Sequence, residues 1–154
     1  MFSRFFQVWR FLLVSASLVG CTESPSGPKA VEGGGHLSWE RGTAGLTAAP
    51  LEIDNHTGKV VACFVSLAHW YSMDLGSLTA GERITVPLWV EEDTGTVFLL
   101  NDQEDRMPLD NMWCGLGGEA WETRAVIALE RRAGVAAQPG QVVCAVEGEG
   151  LVCR

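Results

Sequence analysis

The segment CAVEGEGLVC, Cys144 to Cys153, constrains this 154-residue chain more tightly than any other stretch. Gly148-Glu149 has the Gly-X order of a type II′ turn, so the segment predicts a β-hairpin with a two-residue loop. In that register Glu147 faces Gly150, Val146 faces Leu151, Ala145 faces Val152 and Cys144 faces Cys153. Hydrogen-bonded and non-hydrogen-bonded pairs alternate outward from the loop. The two cysteines therefore fall on a non-hydrogen-bonded pair, where side chains approach closely enough for a disulfide.

The N-terminus sets the compartment. MFSRFFQVWR carries Arg4 and Arg10 and no acid, and it is followed by a ten-residue apolar run from Phe11 to Gly20. That run is about half of the ~20 residues a membrane-spanning helix needs. A short apolar run behind a positive flank has the pattern of a secretory signal. Leu18-Val19-Gly20-Cys21 resembles the lipobox of bacterial lipoproteins. The resemblance covers the first twenty-one residues and implies that Cys21 receives a diacylglycerol. Cleavage then falls between Gly20 and Cys21, and the freed amino group takes a further fatty acyl chain such as palmitate. Two or more chains hold a protein on a bilayer where one does not. Thr22 stands where an Asp would favour the inner membrane, so the resemblance implies the outer membrane, facing the periplasm. The alternatives are an ordinary signal peptide with Cys21 in a disulfide and an unusually short membrane anchor. Residues 1–20 are thus read as signal peptide, 21–45 as a flexible Ser/Pro/Gly tether, and 46–154 as the folded domain.

Past Cys21 four cysteines remain: Cys63, Cys114, Cys144 and Cys153. An even count in an exported chain reads as two disulfides. With 144 and 153 paired by the hairpin, Cys63 joins Cys114 by elimination. A four-cysteine zinc site would lack any close C-x-x-C pair. Without residues 1–20 the formal charge is 9 − 19 = −10, because Arg4 and Arg10 are lost and all nineteen acids stay. Such a surface offers no Lys/Arg patch to nucleic acid and no electrostatic grip on anionic lipid, so membrane attachment falls to the acyl chains on Cys21.

From residue 50 onward, short apolar runs alternate with turn residues. PLEIDN, KVVACFVSL, RITVPLWV and TVFLLN read as strands, Pro87 favouring an edge or bulge. NHTG, DLGSLTAGE, EEDTG and DQEDR read as turns or loops. EAWETRAVIALERRAG fits a strand face and also a helical stripe, with strand preferred. The expected fold is an all-β, two-sheet sandwich of about seven or eight strands with a disulfide-linked C-terminal hairpin. The alternative is α+β with one helix near 119–133.

Catalytic motifs do not emerge. His36 lies beside a glycine run and His56 in a turn, and Ser66 and Ser72 near His69 lack a G-x-S-x-G setting. No H-E-x-x-H, P-loop or dinucleotide fingerprint occurs, and no cofactor is implied. NDQED lacks the Gly and bidentate Glu of a calcium loop. His69, Met73, Met107 and Met112 are scattered as packing residues are, so no metal site is expected. The aromatics are more informative, because AHWYSMDLG and NMWCGLGGEAW are dense in them. Trp combines a large contact area with a polar N–H and suits partner surfaces. His69, Trp70, Tyr71, Trp113 and Trp121 form the candidate binding surface, although one or two of the Trp could instead pack on a disulfide. The expectation is a non-catalytic, lipid-anchored envelope protein that binds an envelope protein partner. A glycan- or peptidoglycan-binding module using exposed Trp is the alternative.

Overall fold

The computed structural model describes residues 40–148 and 150–154, and of His69 the backbone. Cys21, the expected signal segment, residues 22–39 and Glu149 lie outside the described residues. The described part is an all-β sandwich. Its strands are β1 (Thr47–Ala48), β2 (Leu51–Asn55), β3 (Val61–Leu67), β4 (Tyr71–Leu78), β5 (Arg83–Val86), β6 (Trp89–Glu91), β7 (Thr96–Leu100), β8 (Arg106–Leu116), β9 (Ala125–Val126), β10 (Gly140–Glu147) and β11 (Gly150–Cys153). The larger sheet runs β1-β6-β7-β8-β3-β4, with β9 added on β8, and the smaller runs β11-β10-β2-β5.

Alternation builds the core. In β3, Val61, Cys63, Val65 and Leu67 are buried while Ala62, Phe64 and Ser66 are half-buried on the other side. Ile53 from the smaller sheet meets Val61, Val65, Val97, Leu109 and Met112 from the larger in one core. Both disulfides lie inside it. Cys63–Cys114 joins directly opposite residues of β3 and β8, and Cys144–Cys153 joins β10 to β11. The hairpin has the expected register throughout, and Gly148 takes the positive φ of 61° that the first position of its loop requires. The sulfurs of Cys114, Cys144 and Cys153 lie within 4.8 Å of one another, so the two bridges touch across the gap between the sheets.

Several sequence expectations change. RITVPLWV is not one strand: β5 belongs to the smaller sheet and β6 to the larger, and the chain crosses between them at Pro87-Leu88. Proline has no N–H to give a ladder, which makes it a natural corner. DLGSL is strand rather than loop, with Gly76 at a bulge where β3 pairing shifts from Cys63↔Gly76 to Phe64↔Asp74. Its φ of 117° admits an extra residue there, and its N–H bonds the Asp74 carboxylate. The segment 119–133 is neither a long strand nor a helix. It holds a turn, the two residues of β9 and then an irregular strap. The strap is pinned by Gly134 N to Glu92 O and Ala137 N to Glu92 Oε1. Gly95 lies so close beneath it that an added Cβ would sit 2.1 Å from Arg131 O.

The domain also begins earlier than residue 46. Glu40 and Arg41 lock onto Asp105 and Arg106 at the start of β8: Arg106 Nη1 donates to Glu40 Oε2 at 2.7 Å and Arg41 Nε to Asp105 Oδ1 at 2.6 Å. Arg106 is buried, and its Nε also donates to Gly42 O. Residues 40–45, read from the sequence as tether, are part of the packed domain.

The smaller sheet's outer face carries a charged lattice. Asp54 accepts from Gln141 Nε2 and from Arg83 Nε, and Arg83 also reaches Glu52. The hydrogen bond from Gln141, then that from Arg83, hold the Asp54 carboxyl below its ordinary value of 3.8. A lowered folded-state pKa stabilises the fold above the unfolded-state value, and that contribution is lost as pH falls through the folded-state value. Asp54→Asn should therefore lower the melting temperature at neutral pH, and its gap to the wild type should narrow below a pH of about 4. Melting curves from pH 7 to pH 2 check this, and a gap that widens in acid would contradict it.

Candidate functional site

Aromatic residues are distributed unequally between the sheets. None of the four strands of the smaller sheet contains one, as LEIDN, RITV, GQVVCAVE and GLVC make plain. On the larger sheet they stand on the outer face in cross-strand rows. Trp89, Phe98 and Pro108 are in register on β6, β7 and β8, and Phe64, Trp113 and Val126 on β3, β8 and β9. Cross-strand aromatic pairs are a main source of sheet stability, so these rows also stiffen the face they cover.

The second row extends into a ladder. Phe64 stacks on Trp113 with ring centroids 4.5 Å apart. Trp121 meets Trp113 edge-on at 5.7 Å and 82°, and the Arg124 guanidinium lies 4.3 Å from the Trp121 ring centre. Trp121 remains 63% exposed. Its position depends on Gly115: a Cβ there would lie 2.0 Å from Ala120 O, so only glycine lets the 117–123 turn fold back onto β8. Thr123 Oγ1 fastens that turn, accepting from Leu116 N and donating to Glu119 O. Trp113 faces away from the neighbouring Cys114, so it does not pack on the bridge. It packs on Phe64, which the sequence reading did not single out. The β3–β8 register alone pairs the two.

His69, Trp70 and Tyr71 lie elsewhere, at the tip of the β3–β4 hairpin. The backbone of His69 lies in a 3-10 turn, Ala68–Trp70, that joins the two strands. Trp70 has a φ of 69° and is 100% exposed, and Tyr71 is 62% exposed. A bulky side chain in the left-handed region is a true outlier. Beside it lies a depression lined by Ser66, Ser72, Asp110 and Asn111. The five candidate residues therefore form two groups: Trp113 and Trp121 on the face, and His69, Trp70 and Tyr71 at the tip.

Other features offer less. NDQED uses its oxygens internally: Asn101 Oδ1 accepts from Gln103 N and Asp105 N. A cavity of about 380 Å³ lies under the strap, lined by Leu51, Leu88, Val90, Val97, Leu129 and Val135. At its mouth Glu130 is held by Arg132, whose hydrogen bonds lower the carboxyl pKa to about 2. The clustered core sulfurs are all in disulfides, and no thiolate is free there to bind a metal. No protein-family model matches the chain, and no curated protein matches it in sequence.

The two groups should respond oppositely to truncation. Trp113→Ala removes a half-buried ring with two aromatic neighbours and should cost about 1–3 kcal/mol. Trp70→Ala should stay within about 0.5 kcal/mol of the wild type. Trp70→Gly should be about 0.5–1 kcal/mol more stable than Trp70→Ala, because glycine accepts a positive φ without strain. Urea denaturation of the three variants checks this, and a Trp70→Ala loss as large as that of Trp113→Ala would contradict it.

Proposed function

We propose that this chain is a lipid-anchored envelope protein, held by acyl chains on Cys21 at the periplasmic face of the outer membrane, that binds an envelope protein partner without catalysis. The observation that carries the reading is the asymmetry of the two outer faces. One is a lattice of paired charges around Asp54 and Arg83, and the other carries every aromatic row of the sandwich. Exposed apolar residues gathered on one face of a charged domain, here Trp121 and Val126 beside the half-buried Phe64 and Trp113, mark a contact site. Trp and Arg, as in the Trp121–Arg124 pair, are the residues that most often dominate binding energy.

The ladder's geometry favours a protein over a sugar. Stacking on a saccharide calls for coplanar exposed rings, and Trp113 and Trp121 meet at 82°. The stiff, half-buried row of Phe64 and Trp113 with an exposed Trp121 at its end instead resembles the anchor and rim of a protein interface.

The test is crosslinking in detergent-solubilised membranes, with a photoreactive residue placed at 121 or, on the opposite face, at 141. Position 121 should give one discrete adduct that Val126→Glu reduces, and position 141 should give none. Equal labelling from both faces would contradict the reading, as would no adduct together with retention of the chain on a glycan column.

A further inference from the structure

The Trp70 tip calls for a separate explanation, because the strain there is offset by no packing. Trp70 sits at a φ of 69° and is wholly exposed. Glycine would relieve that strain, so whatever the indole contributes lies outside the molecule. The surrounding chain is distinctive as well. Leu67 to Met73 holds no carboxylate, lysine or arginine, in a chain with nineteen acids. Tyr71 and Met73 are exposed beside Trp70, so the tip presents a small neutral apolar surface.

The tip stands at the end of the sandwich where the N-terminal segment enters. β3 runs antiparallel to β8, and its last residue, Leu67, pairs with Leu109. The tip follows directly. Arg106, three residues before Leu109 and so roughly 10 Å along the strand, clamps Glu40 through its side chain and through Arg106 N to Glu40 O. The point of entry and the exposed Trp thus share the N-terminal end of β8. Between Cys21 and Glu40 lie eighteen residues, which span at most roughly 60 Å when fully extended.

We infer that the hairpin tip around Trp70 and Tyr71 is a second membrane contact, inserting its aromatic side chains into the interfacial region of the leaflet that holds the anchor. This rests on the lipid-anchor reading above. Trp and Tyr favour that region because each has an apolar ring and a polar handle. The contact is not electrostatic. Arg41 and Arg106 are spent on Asp105 and Glu40, while Asp102, Glu104 and Asp110 at the same end form no ion pair among the described residues. These carboxylates select neutral over anionic lipid, and salt weakens the selection. A leash with a docking tip holds the domain in one orientation, which turns the aromatic face of the larger sheet sideways, its plane standing up from the membrane surface.

The domain Leu37–Arg154 is a compact unit that contains both disulfides and the whole core, so it can be tested without an acyl chain. It should co-sediment with phosphatidylcholine vesicles and show a blue shift in Trp emission. Trp70→Ala, and Trp70→Ser with Tyr71→Ser, should weaken this by about tenfold or more. Trp121→Ala should leave it unchanged. Adding phosphatidylglycerol should weaken binding at low salt. No partition at millimolar lipid, or equal loss with Trp121→Ala, would overturn the proposal. Retention on peptidoglycan that depends on Trp70, without vesicle binding, would overturn it in favour of a saccharide site. The domain carries no acyl group, so loss of vesicle binding counts against the tip alone. An unmodified Cys21 in the intact mass of the membrane-extracted chain would instead count against the anchor.

Discussion

Two disulfides in contact at the centre of the sandwich set the rest of the structure. Each joins directly opposite residues within one sheet, Cys63 to Cys114 in the larger and Cys144 to Cys153 in the smaller. A bridge of that kind fixes strand register but does not by itself join two layers. The layers share one apolar core, and within it the bridges lie against each other, with the sulfurs of Cys114, Cys144 and Cys153 within 4.8 Å. In the chain-entropy model the long-range bridge, which spans 51 residues, stabilises by about 4 kcal/mol and the hairpin bridge by somewhat under 3. Together these are comparable to the whole net stability of an ordinary domain, about 5–15 kcal/mol.

Fixing the β3–β8 register in this way places both aromatic groups. Cys63 opposite Cys114 requires Phe64 opposite Trp113, on the outer face because side chains alternate along a strand. The same register ends β3 at Leu109, which sets the 3-10 turn and its exposed Trp70 at the N-terminal end of β8. β8 also carries Arg106, which secures the entering chain, and Gly115, which admits the turn that bears Trp121. One strand thus organises the point of entry, the tip and the face.

Much of this was legible in the sequence, wherever the information was local. The hairpin register followed from Gly148 and residue counting, and the long-range disulfide followed by elimination. Alternation identified the strands, but it reports which face a residue occupies and not which strand lies beside it. The parallel pairing of β10 with β2 was therefore invisible, since it joins Leu51 to Gly140 across most of the domain. Pro87 reads as an edge or bulge and is a corner between sheets, a difference that depends on where the next strand finds a partner. DLGSLTAGE reads as a loop, yet its Gly76 sits at a bulge within β4. For 119–133, the helical and extended patterns were both present in the residues. The outcome depended on Ala120 packing against Gly115 and on Glu92 pinning the strap, and neither contact has a local signature. Likewise Trp113 and Trp121 stood out in the sequence, whereas Phe64, the third member of the ladder, did not.

The central claim, that the two bridges act as one unit joining the sheets, is tested most directly by a double-mutant cycle on stability. The four states are the wild type, Cys63→Ala with Cys114→Ala, Cys144→Ala with Cys153→Ala, and all four together, measured by urea denaturation in a stabilising osmolyte so that every state lies within range. Contact between the bridges predicts non-additive losses, with a coupling of at least about 0.5 kcal/mol. Losses that add to within about 0.3 kcal/mol would mean that the bridges act separately and that the apolar core alone couples the layers.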